Sequence, residues 1–193
     1  HGDMNAPQAS ATTEVLDWTA QGADGANLAA GFTQDTGTMN VSVSFVNNGN
    51  NNPTFQVESN DPTYVAGGEP FDPTSSLYLF GNGDGATSTT VIDFAATADS
   101  GMSDQVQNVQ FRINDIDWGG GNHRDLITVN ALDVNGNPVT VSITPGAGDT
   151  VSGNTIRANN LADNPNSASG SALVQITGPV SQISISYSNG LNG

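Results

Sequence analysis

Ile127-Thr128-Val129-Asn130-Ala131-Leu132, then Asp133-Val134-Asn135-Gly136-Asn137-Pro138, then Val139-Thr140-Val141-Ser142-Ile143 is the stretch that decides the fold. Ile127, Val129 and Ala131 alternate with polar residues, and so do Val139, Val141 and Ile143. A period of two puts each apolar set on one face of an extended strand. Between them lies an Asn-Gly pair flanked by Asp and Pro, the chemistry of a tight reversal. Two strands joined by a hairpin, each covering a core on one side and meeting water on the other, describe an antiparallel sheet.

Outward from that hairpin the same period recurs. Val41, Val43 and Phe45 show it, as do Phe55 and Val57, Leu77 to Phe80, Thr89 to Phe94, Val109, Phe111 and Ile113, Leu173 to Ile176, and Ile183, Ile185 and Tyr187. No stretch carries three turns of helical period. The pattern predicts an all-β, antiparallel β-sandwich of jelly-roll-like kind, with about nine or ten strands and long loops. Loops are expected at Asn47 to Pro53, Asn60 to Ser75, Gly81 to Thr87, Trp118 to His123 and Ala158 to Gly170. Residues 1–13 read as a tail, linker or tag remnant, and 14–193 as a single domain whose first strand starts near Glu14 to Trp18.

Nineteen acidic side chains face three arginines, Arg112, Arg124 and Arg157, and there is no lysine, so the net charge is −16. Such a surface repels phosphate backbones and anionic lipid, which argues against nucleic acid and membrane insertion, and it attracts cations. Only Glu14, Glu58 and Glu69 are glutamates; the shorter acid suits turns and oxygen-rich metal loops. Cysteine is absent, which excludes disulfides, thiolate metal sites and a cysteine nucleophile. No apolar run approaches the roughly 20 residues that span a bilayer, and no signal peptide remains.

One constellation stands out. Asn114-Asp115-Ile116-Asp117 follows the Val109 to Ile113 strand, and Trp118, three glycines, Asn122, His123, Arg124 and Asp125 come next. Two residues apart in an extended segment, Asp115 and Asp117 point the same way, and the glycine loop can fold Asp125 back towards them. Three converging carboxylates repel unless a hard cation joins them, and Ca2+ accepts the irregular oxygen shell that Asp115, Asp117, Asn122 and Asp125 would form. The plain alternative is that these are turn carboxylates, with Asp125 paired to Arg124 or Arg112. The Asp133 loop lacks the glutamate of an EF-hand, and a hairpin is its better reading.

Val109 to Asp117, followed by Arg124-Asp125-Leu126-Ile127-Thr128-Val129-Asn130-Ala131-Leu132-Asp133-Val134-Asn135-Gly136-Asn137-Pro138-Val139, resembles a module of large secreted calcium-dependent proteins of marine bacteria, including RTX-type adhesins. Val151-Ser152-Gly153-Asn154-Thr155 and the run from Gly178 to Gly190 are similar to the same module. The resemblance implies a secreted or cell-surface β-sandwich beside flanking domains of a larger chain. It also implies that the usual final strand, with its aromatic residue and aspartate, is lacking here.

Three functions are therefore in play. The first is a calcium-dependent adhesion module that recognises a glycan or peptide on a cell or polymer surface. Trp118 would stack on the ligand while His123 and Arg124 donate hydrogen bonds; the alternatives are a packed Trp118, a loop hydrogen bond for His123 and a charge partner for Arg124. The second is a structural spacer. The third is a copper polysaccharide monooxygenase using His1 and His123, on a resemblance that stops at those two histidines and the architecture. No Gly-x-Ser-x-Gly elbow supports a hydrolase, and the prevailing expectation is a protein that is not an enzyme.

Overall fold

Alternation in the sequence becomes a pair of facing sheets in the computed structural model, which describes residues 13–49, 53–81, 85–121 and 123–190. The strands in chain order are β1 (Phe32–Asp35), β2 (Met39–Asn47), β3 (Thr54–Glu58), β4 (Ser76–Phe80), β5 (Gly85–Ala96), β6 (Val109–Ile113), β7 (Trp118–Gly119), β8 (His123–Leu132), β9 (Pro138–Val139), β10 (Ser142–Thr144), β11 (Asp149–Ser152), β12 (Thr155–Ala158), β13 (Ala172–Ile176) and β14 (Gln182–Asn189). Among the described residues helix is confined to two 3-10 turns, Trp18–Gln21 and Ala168–Gly170. None of the described helices is long and apolar enough to cross a membrane.

The large sheet runs β1-β2-β5-β14-β8-β12-β11, with the short β7 and β9 paired to β8. Every pairing is antiparallel. Register aligns one inward row across five strands: Phe32 with Val43, Val43 with Ile92, Ile92 with Ile183, and Ile183 with Ala131. The second sheet, β10-β13-β6, turns Val174 and Ile176 onto that row, and Ile116 and Val180 fill the ends. Burial of these side chains is the main force holding the two layers together, at about 25 cal/mol per Å² of apolar surface. A separate hairpin, β3-β4, packs through Phe55, whose ring stacks on Phe45 at 4.6 Å between centroids.

The all-β sandwich expectation holds, but the described residues form fourteen strands rather than nine or ten. The additional ones are short: Phe32–Asp35, Trp118–Gly119, Asp149–Ser152 and Thr155–Ala158 are too brief for a clear alternation. Glu14 to Trp18 is not the first strand. It is held through side chains instead: the Gln34 amide both accepts from Asp17 N and donates to Asp17 O, each at 2.9 Å, and the Glu14 carboxylate accepts from the backbone of Thr38 at 2.9 Å. Asp133 Oδ1 accepts from Asn135 N and Asn137 N in the expected hairpin, and Gly136 takes the positive φ of 80°. Beyond it the expected single strand splits. Val139 pairs with Ala131 in the large sheet, whereas Ser142 pairs with Gln175 in the small one, so the chain changes layer at Thr140 and Val141. Gly85 to Thr87, expected in a loop, belongs to β5.

Candidate metal centre

The acidic constellation sits at one end of the large sheet because three strands end there in register. On β8 the inward parity of Ile127, Val129 and Ala131 runs back to Asp125, which is buried at 8% exposure. Asn189 of β14 lies opposite Asp125, and its side chain accepts from Arg124 N. Tyr187, two residues earlier and on the same face as Asp125, reaches diagonally across the ladder and donates its hydroxyl to Asp125 Oδ1 at 2.6 Å. Continuing the Arg157–Leu126 register sets Ala158 beside Asp125, and Ala158 pairs in turn with Asp149 at the start of β11.

Trp118 to His123, expected as a loop, is a hairpin: Trp118 pairs with Arg124 and Gly119 with His123. That pairing brings Asp117 over Asp125, with Asp125 N donating to Asp117 O at 3.1 Å and Asp117 N to Asp125 Oδ2 at 3.0 Å. His123 Nε2 lies 2.8 Å from Asp117 Oδ1. Donor atoms of Asp117, His123 and Asp125 consequently fall within 4.8 Å of one another, the span that ligands of one cation occupy. Asp115 is not one of these three. Its φ of 57° breaks the extended run assumed in the sequence reading, and the buried Ile116, whose N donates to Gly170 O, fixes the bend.

Asp115 still shares the charge of the site. Burial first, then the charges of Asp117, Asp125 and Asp163, push its carboxyl up to about 7. Asp149 rises to about 7 for the same kinds of reason: burial, then Asp163, Asp125 and Asp117. Burial also lifts Asp125 and, together with the adjoining carboxylate, the Tyr187 hydroxyl. Five aspartates therefore act on one another at the sheet end, and His123 is the basic group bonded among them. The arginines proposed as counter-charges are engaged elsewhere. Arg112 forms a two-point ion pair with Glu69 at 2.7 and 2.8 Å, and the buried Arg124 guanidinium donates to Ala158 O and Asn160 Oδ1.

Comparison with protein-family models, with curated proteins and with solved structures yields no match, so the centre is read from its own geometry. Asp117 and Asp125 fit a hard divalent cation, with His123 as a nitrogen neighbour. Asn122 and His1 lie outside the described residues. Trp118 is half-buried against the core, its ring over Gly120, where an added Cβ would lie 3.3 Å from it. Asp149 and Asp163 went unseen in the sequence. Asp149 is in phase with Val151 on β11, and an acid on the inward parity of a strand is the signal that would have found it.

Proposed function

We propose that this domain is an extracellular, calcium-dependent ligand-binding module that recognises a glycan. The observation that carries the reading is an exposed aromatic pair on β4, one ring of which feels the charge of Asp115. Tyr78 and Phe80, 39% and 46% exposed, present near-parallel rings on β4, with 6.5 Å between centroids and 7° between planes. Tyr78 lies close enough to Asp115 for that carboxylate, after burial, to raise its hydroxyl pKa. Flat apolar faces beside hydroxyl-binding oxygens suit a pyranose ring. Tyr78 and Phe80 take the stacking role first assigned to Trp118, which is packed, and Arg124 is held by Ala158 and Asn160.

Calcium in this reading neutralises the aspartates and sets the end of β8 and the Asn114 to Asp117 segment on which Asp115 stands. The resemblance drawn from the sequence between Val109 to Asp117 with Arg124 to Val139 and modules of secreted calcium-dependent adhesins supports this reading, as does a chain of −16 net charge without lysine. Extracellular modules bind calcium at about 0.1 to 1 mM.

The test is retention of the 193-residue chain on insoluble polysaccharides and a glycan array, in calcium and in chelator, with a peptide array alongside. Expected is calcium-dependent retention on a glycan that Tyr78→Ala and Phe80→Ala abolish while the melting temperature stays within a few degrees. Retention that ignores both variants and the chelator would sink the proposal. No retention on any surface, with calcium bound, leaves the spacer reading in its place.

A further inference from the structure

Asp149 is 6% exposed, and neither of its carboxylate oxygens meets a hydrogen-bond donor of the described protein. Asp163, on the connection between β12 and β13, has one satisfied oxygen and one bare one. Its Oδ1 accepts from the Ser167 and Ser169 hydroxyls, and its Oδ2 is buried without a partner. Three buried carboxylate oxygens with no donor are costly, because an ionised carboxylate taken from water must be paired, coordinated or protonated. Asp163 is also the strongest charge acting on Asp149, and its bare Oδ2 lies 3.0 Å from where a Cβ on Gly148, the residue before Asp149, would stand.

The backbone is built to bring them there. Gly148 N donates to Ser169 O at 2.9 Å, and Asn159 N to Gly148 O at 2.8 Å, which ties the start of β11 to the 159–170 connection. A Cβ on Gly148 would stand 2.9 Å from Ser169 O and 3.0 Å from Asp163 Oδ2, and one on Gly170 would stand 2.6 Å from Asp163 Cβ. Both positions admit only glycine at this approach, so the close contact of the start of β11 with the connection that carries Asp163 is enforced by the chain.

We infer that Asp149 and Asp163 hold a second divalent cation of the calcium class, separate from the one assigned to Asp117 and Asp125. Separation follows from reach. Oxygen ligands at about 2.3 to 2.6 Å from one ion lie at most about 5 Å apart, and Asp149 is not in the group of Asp117, His123 and Asp125 whose donors meet that limit. The inner ion clamps β11 to the connection whose Leu161 O accepts from Trp118 N and whose Gly170 O accepts from Ile116 N. The residues on either side of Asp117 therefore rest on it, and the two ions bind with positive cooperativity. This inference rests on the calcium reading above for the outer ion only.

The experiment is calcium titration calorimetry on the stripped full chain, with terbium luminescence as a second readout, for wild type, Asp149→Asn and Asp117→Asn. Asparagine keeps the shape of Asp149 and offers Asp163 a donor, so the variant should fold at least as well as wild type in chelator. Expected are two equivalents of calcium in wild type and one in Asp149→Asn, with the lost site weakened at least 100-fold. One equivalent in wild type, unchanged in Asp149→Asn, overturns the inner site and leaves the outer one standing. One equivalent lost in Asp149→Asn but kept in Asp117→Asn upholds the inner site and overturns the outer one. A single equivalent lost in both variants overturns the separation into two ions, and none in wild type overturns both.

Discussion

In chelator this protein should become less stable as the pH rises through the mildly acidic range, the reverse of the behaviour common among proteins held by ion pairs. Asp115 and Asp149 move from an ordinary 3.8 to about 7 on folding. A raised carboxyl pKa means that between those values the folded chain keeps a proton the unfolded chain has lost. Stability from this source is full below the unfolded pKa and lost as pH climbs through the folded one. Roughly three pH units at 1.36 kcal/mol each set a ceiling on the order of 4 kcal/mol for either residue alone, and solvent screening brings the real contribution below it. The two share Asp117, Asp125 and Asp163 as neighbours, so together they give less than double that. The lowered groups Asp17, Asp24 and Glu69 finish titrating below their ordinary values of 3.8 and 4.5, so they do not oppose the trend above about pH 5. At about 2 to 4 °C per kcal/mol for a domain of this size, the melting temperature in chelator should fall by roughly 10 to 15 °C between about pH 5 and pH 8. If calcium binds as proposed, it should hold the carboxylates ionised, flatten the slope and raise the midpoint, by about 4 kcal/mol of stability at a thousandfold excess over its Kd. Scanning calorimetry across that range, in chelator and in calcium, makes the comparison. A midpoint in chelator that rises with pH, or equal slopes in the two conditions, would refute the reasoning.

Tyr187→Phe removes the donor to Asp125 Oδ1 and should cost about 1 to 3 kcal/mol in chelator, read by urea unfolding; an unchanged midpoint would mean that water replaces the hydroxyl. Ile116→Ala empties a fully buried position between Asp115 and Asp117, so denaturant unfolding should show a loss of about 2 to 5 kcal/mol and calorimetry a weaker outer calcium site. Arg112→Ala leaves Glu69 without its two-point partner and should cost about 1 to 3 kcal/mol in denaturant unfolding, whereas Arg112→Lys should recover only part of it.

The sequence was legible where the physics is local. Apolar residues at a period of two named the faces of β2, β8, β13 and β14, and the Asp133 to Pro138 turn declared its hairpin, because pleat and turn geometry act over a few residues. Asp117 and Asp125 were found as neighbours for the same reason, being eight residues apart across a glycine turn. Other features needed the assembled fold. Val139 to Ile143 looked like one strand, yet the chain changes layer within it, and Asp115 left its expected direction when Ile116 was drawn into the core. Asp149 and Asp163 come from a short strand and a long connection, and Arg124, near Asp125 in sequence, was turned towards Ala158 and Asn160. Alternation determines which face a residue takes, whereas only register between distant strands and the packing of their ends determines which charges must share one small buried volume.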